Sequence, residues 1–142
     1  YKHHVSVDVK HKLIRSYAVT DAARHDSNVF EQLLADNTSK DVWADSAYRS
    51  ADRLERLAKD GFREHIQRKG SRNRPLTARE QEGNKTRSRI RSRIEHIFGA
   101  QAQRAGTLLL RTIGITRARV KIGLRNLAYN IDRMGMLLAT NR

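Results

Sequence analysis

Val42-Trp43-Ala44-Asp45 is a brief apolar run that ends on a carboxylate. That is the pattern of a buried strand, short enough for a central one, whose last residue emerges at the edge of a sheet. Further along the chain, Leu54, Leu57 and Ala58 share one face of a helix over residues 51–59, and Gly61 stops it. A second short strand follows at about residues 62–67. Residues 68–75 are Lys, Gly, Ser, Arg and Asn with the only proline, and they read as a mobile basic loop.

Back towards the start, Val5, Val7 and Val9 alternate with His4, Ser6 and Asp8, which predicts a strand with one buried face. Residues 13–19 read as its hairpin partner and residues 10–12 as the turn. A polar stretch leads to a short helix over about residues 28–35, with Val29, Leu33 and Leu34 on one face and Asp26 or Ser27 as N-cap. Beyond the basic loop, Ile90, Ile94, Ile97 and Phe98 predict a long helix over residues 78–100, with Gly99 and Gly106 near its end. A second long helix spans about residues 116–139. Its Val120, Leu124, Leu127, Ile131, Met134 and Leu138 recur in steps of four and three, a coiled-coil-like seam of the kind that most often docks on a domain core. Strands alternating with helices, then two helices, describe an α/β domain without internal repeats.

The 142 residues suffice for one domain with a hydrophobic core. The absence of cysteine excludes disulfides, thiolate-bound zinc, iron–sulfur clusters and thiol catalysis. No apolar run approaches the roughly 20 residues that span a bilayer, and no signal-like segment follows Tyr1, so the expected location is the cytoplasm. Because the chain begins on Tyr1, it reads as a piece of something longer.

The formal charge of +14 is unevenly spread: residues 1–71 carry 13 basic and 11 acidic side chains, residues 72–142 carry 16 and 4. Between Gly83 and Ile131 there are eleven Lys or Arg and a single acid, Glu95. An anionic partner should meet this second half, and nucleic acid is the leading candidate, bound with strong salt dependence. A solvated basic face is the plainer reading, but such faces usually mix signs.

Glu95 lies at the rim of the Ile90, Ile94, Ile97 and Phe98 stripe, one turn from Arg91. It is either the partner of a surface ion pair with Arg91 or a metal ligand beside a phosphate-binding surface. Asp45, at the end of a buried strand, points to the crevice where α/β domains place ligands; its plainer role is a cap or turn residue. Together the two offer hard oxygen ligands of the kind Mg²⁺ accepts, although such a site normally wants a third carboxylate. The histidines, His25 beside Asp26 among them, lack zinc spacing and suit turns and caps. No serine-hydrolase elbow, Walker loop or dinucleotide fingerprint occurs.

Trp43-Ala44-Asp45-Ser46-Ala47-Tyr48-Arg49-Ser50, followed some fifty residues later by Arg91-Ser92-Arg93-Ile94-Glu95-His96-Ile97-Phe98-Gly99, resembles bacterial insertion-sequence transposases of the DDE type, and most of all the insertion-sequence-five family. His25-Asp26-Ser27, Arg111-Thr112-Ile113-Gly114 and the run from Lys121 to Asn130 agree in the same order. The resemblance implies a ribonuclease-H-like mixed sheet flanked by helices over residues 1–142, with a basic helical segment at about 107–142. It makes Asp45 the second and Glu95 the third catalytic acid, both holding Mg²⁺ or Mn²⁺. Arg91 matches the arginine of the wider Tyr, Arg, Glu, Lys signature, while Ser88 and Ala102 stand at the tyrosine and lysine positions and Ala47 replaces a common glycine.

By this resemblance residues 1–9 form the second strand, so the first catalytic aspartate would lie upstream of Tyr1 and the central first strand would be missing. That would leave two open strand edges. Asp8, the local substitute, reads as the hairpin end. The implied function is DNA transposition: a parent enzyme cleaves and joins double-stranded DNA by two-metal phosphoryl transfer. Arg87, Arg91, Arg117, Arg119, Lys121 and Arg125 would contact phosphates. The implied partners are element ends, target DNA, and a second copy or the upstream part of the parent. The alternative is an inactive truncated module that holds DNA or pairs with intact transposase. RNA binding ranks third for want of stacking aromatics.

Overall fold

The computed structural model describes residues 1–23 and 29–140. In chain order the elements are β1 (Lys2–Val7), β2 (Ile14–Thr20), α1 (Phe30–Leu34), β3 (Asp41–Ala44), a 3₁₀ turn (Ser46–Tyr48), α2 (Ala51–Lys59), β4 (Arg63–Ile66), α3 (Ala78–Ala105) and α4 (Ile115–Thr140). The proposed caps Asp26 and Ser27, and His25, lie outside the described residues. The chain divides into two compact units: residues 1–36 with 93–142, and residues 37–92. The strands pair as two separate two-stranded sheets, β1 with β2 antiparallel and β3 with β4 parallel, rather than as one mixed sheet. Among the described residues no strand pairs with both.

In the first unit the hairpin is covered on both faces, and this overturns the one-sided reading of its alternation. His4, expected to face water, is buried beside Ala18, and its Nε2 lies 3.0 Å from the Thr20 hydroxyl. Val5 and Val7 are only half-buried, and Val9 falls outside the strand and is exposed. The cause is α1, which packs on β1 and β2 with Ser16 donating to the Leu33 carbonyl at 3.1 Å. On the opposite face Val19 packs with Ala118 and Ile122 of α4. Gly123 leaves room there for the Tyr17 hydroxyl, which would have to shift if this position carried a side chain.

The turn of the hairpin is tied to α4 by side chains. Asp8 closes it, taking the His11 N–H, while Lys12 adopts the left-handed conformation (φ 60°). The Tyr129 hydroxyl donates to the Lys12 carbonyl at 2.9 Å, and Arg133 Nε donates to the His11 carbonyl at 2.8 Å. Asn130 bonds both backbone groups of Ile14, each at 2.9 Å. Asn126 donates to His3 and accepts from Gln101 of α3, each at 3.0 Å.

Burial, together with the charges of His4 and Arg125, lowers the pKa of His3 to about 4. The folded state therefore holds His3 neutral. Its contribution to stability is complete above the ordinary value of 6.5 and is lost as pH falls from there towards 4, because the unfolded chain binds the proton more readily. Thermal unfolding between pH 7 and 4 is expected to show this loss, and His3→Gln to remove most of it.

In the second unit β3, α2 and β4 fall at the expected places. Ser50 caps α2 by accepting from the Arg53 N–H at 3.3 Å, Leu57 is buried, and Gly61 (φ 76°) ends the helix. Ala58, expected inward, is exposed, because the buried face of this short helix narrows to Leu57 with Leu54 half-buried. The Asp41 carboxylate binds Arg63 through both oxygens (2.9 and 2.7 Å) and lies 2.8 Å from His65, contacts that lower its pKa. They pin the parallel register at its start. The basic loop is tied at its base: Ser71 and Arg74 form a tight turn, and the Asn84 side-chain amide bonds both the N–H and the carbonyl of Arg68.

Helix α3 begins with a reciprocal cap. The Glu80 N–H donates to the Thr77 hydroxyl while the Thr77 N–H donates to the Glu80 carboxylate, which Arg68 also contacts. These bonds lower the Glu80 pKa to about 2. The helix continues past residue 100 to Ala105, carried by Gln101, which is buried against α4, and ends before Gly106 (φ 70°). The α4 stripe from Val120 to Leu138 does not dock on the core. α4 uses its opposite face, Ala118, Ile122 and Asn126, for that.

Candidate functional site around Asp45

Parallel pairing of β3 with β4 sets Ala44 opposite Ile66, so Asp45 and Gln67 leave the sheet together at its carboxyl end. There the chain turns sharply, and Asp45 caps the 3₁₀ turn. Its Oδ1 accepts from the Ala47 N–H at 3.2 Å and from the Ser46 hydroxyl at 3.1 Å. The expected cap role is therefore real, and it also aims the other oxygen. Asp45 Oδ2 lies 3.0 Å from Arg91 Nη1 of α3.

The rest of the motif holds this turn in place. Arg49 lies 3.2 and 3.3 Å from the two Glu64 oxygens on β4, and Arg53 donates to the Tyr48 carbonyl at 2.8 Å. Arg91 is fixed as well, donating to Gln67 Oε1 at 3.1 Å, while Gln67 Nε2 donates to the Ser88 hydroxyl at 2.7 Å. Ser88, at the position of the signature tyrosine, is thus wired to the same cluster. Gln67 escaped the sequence reading. The available signal was that it ends the second of two successive strands, as Asp45 ends the first.

Arg91 therefore pairs with Asp45, whereas Glu95 is exposed on α3 and makes no ion pair among the described residues. Of the two readings of Glu95, the surface pair with Arg91 is therefore the one that does not form. Arg87 folds back along α3 over Gly83, and its Nε is buried without an acceptor among the described residues. Arg117, Arg119 and Lys121 project from the first turns of α4 and are exposed. Arg125 is half-buried, donates to the Leu108 carbonyl at 3.3 Å, and lines a cleft of about 650 Å³ between α3 and α4 with Lys12 and Arg133.

The family model described as "Transposase DDE domain" matches residues 1–131. The chain belongs to the DDE transposase family. No curated protein and no solved structure matches it. The work of this transposase domain is therefore DNA transposition, with DNA as substrate and, as in the family generally, divalent metal as cofactor. The chemistry of Asp45 fits a hard divalent cation: an oriented carboxylate at the carboxyl end of a strand, in a chain that has no thiolate to compete. Among the described residues no three His, Asp or Glu side chains cluster closely enough to hold such an ion by themselves. No helix among them is long and apolar enough to cross a membrane.

Proposed function

We propose that this chain is part of the catalytic domain of an insertion-sequence-five-type transposase, with Asp45 and Glu95 as two of its three catalytic acids. The observation that carries the reading is the Asp45 carboxylate, held at the carboxyl end of a parallel strand by its own cap and faced by Arg91 at 3.0 Å. Asp45 and Glu95 would hold Mg²⁺ or Mn²⁺. When bound, the metal supplies activation of the attacking oxygen and stabilisation of the leaving one in phosphodiester chemistry. Arg91 orients Asp45 and brings positive charge to where the phosphate is handled. The setting is the bacterial cytoplasm, at the nucleoid.

The duplex contacts are Arg87, Arg91, Arg117, Arg119, Lys121 and Arg125, with residues 107–142 as a basic segment. Arg117 stands in the first turn of α4, which holds no acid, and Arg119 and Lys121 follow in the second. A cation in the first turn opposes the helix dipole by about 0.3–1 kcal/mol, a cost that bound phosphate offsets. Contacts of this kind position DNA without reading its sequence.

Titrating the chain with a DNA duplex at several salt concentrations tests this. Log affinity should fall steeply with log salt, and replacing Arg117, Arg119 and Lys121 by Ala together should flatten the slope by about 2 to 3. An unchanged slope would remove α4 from the interface.

A further inference from the structure

Val120, Leu124, Leu127, Ile131, Met134 and Leu138 leave 52–68% of each residue exposed, on the side of α4 opposite the docked face. Steps of four and three keep all six within one narrow stripe along nineteen residues, the 3.5-residue period that matches a second helix rather than a sheet or a flat surface. We propose that this stripe is a self-association surface, on which α4 of a second copy packs antiparallel about a two-fold axis near Tyr129.

Charge selects the partner and its direction. The whole chain carries +14, yet beyond Lys121 the two edges of the stripe are Gly123, Ala128, Asn130, Gly135 and Leu137, all uncharged. Two copies can therefore approach along most of the seam without like-charge repulsion, and the small residues let the backbones come close. Arg117, Arg119 and Lys121 sit at the first end only. A parallel pair would bring those cations together, whereas an antiparallel pair sets them beside the uncharged last turns and the negative dipole end of the partner helix. In that register Val120 meets Leu138, Leu124 meets Met134 and Leu127 meets Ile131 of the other copy.

Six such side chains present on the order of 600 Å² per copy, somewhat below the roughly 800 Å² per partner of a standard stable interface, which suits a reversible dimer. Sedimentation of the intact chain should show a shift from monomer to dimer between about 1 and 100 μM. Leu124→Asp with Ile131→Asp should abolish it while the far-ultraviolet spectrum and melting temperature stay unchanged, since both side chains are exposed. Direction is read with introduced thiols, because the chain has no cysteine. Under oxidation Val120→Cys alone and Leu138→Cys alone should remain uncrosslinked, and an equimolar mixture should crosslink.

A chain monomeric at 100 μM would overturn the proposal and leave this face for another part of a longer transposase chain. Dimers that survive the double substitution would overturn it too. Self-crosslinking of Val120→Cys alone would overturn the antiparallel arrangement.

Discussion

Asp45→Asn or Glu95→Gln, made singly in a transposase that carries this domain, is expected to reduce strand cleavage by about a thousandfold or more. Each change keeps the shape of the side chain and removes the charge that a divalent cation requires. Metal stabilisation of phosphoryl transfer is worth several kcal/mol, and about 4 kcal/mol corresponds to that factor. The fold should tolerate both changes. Glu95 is exposed and makes no ion pair among the described residues, and the Asp45 to Arg91 pair is half-exposed, a class of contact that contributes at most about 1 kcal/mol. Duplex affinity should therefore stay within a fewfold of the parent. The checks are gel-resolved cleavage of labelled element ends with Mg²⁺ or Mn²⁺, and a binding titration. Cleavage within tenfold of normal in either variant would remove that residue from the catalytic set.

Asn130→Ala is expected to destabilise the chain by about 3 kcal/mol. Ile14 is 7% exposed, and Asn130 satisfies both its N–H and its carbonyl at 2.9 Å. Truncation strands a donor and an acceptor out of reach of water, at about 1–3 kcal/mol each, offset in part where water can enter. Asn130→Asp preserves the acceptor but sets a carboxylate oxygen against the Ile14 carbonyl, so its loss should be no smaller. Arg119→Ala, at an exposed position of the same helix, should change stability by less than about 0.5 kcal/mol. Urea unfolding of the three variants measures all of this, and a loss below 1 kcal/mol for Asn130→Ala would mean that the hairpin turn does not depend on α4.

The elements were legible where a local pattern had one interpretation. α2 has a serine cap, an apolar stripe and a stop glycine within a dozen residues, and its span was readable from them. The strand that ends in Asp45 was readable because three apolar residues followed by a carboxylate suit few other environments. The capping box of Thr77 and Glu80 was equally readable and was missed, although a threonine three residues before a glutamate at a helix start signals it.

Other features were hidden for a physical reason. Alternation along β1 shows that two faces differ, but it does not show whether the polar face meets water or a helix. His4 became a buried residue because α1 covers it and Thr20 meets its ring. The same limit applied to α4, whose sequence contains two apolar stripes on opposite sides. The regular one was the natural choice for the core, and the one that docks is the less regular Ala118, Ile122 and Asn126. Helix α3 posed the converse problem: its charges could be listed from sequence, but the pairing of Arg91 with Asp45, 46 positions apart, needed the chain to be folded.

By itself the sequence determined the α/β alternation, the place of Asp45 at a strand end, the position of Glu95 on a long basic helix and the excess of positive charge in the second half. These follow from spacing and composition, which act over a few residues. The tertiary structure decided which faces are covered, which cation stands on Asp45, and that Tyr129, Asn130 and Arg133 serve to hold the hairpin turn. Those outcomes depend on what lies across from each residue, and a partner more than a hundred positions away leaves no trace in local periodicity.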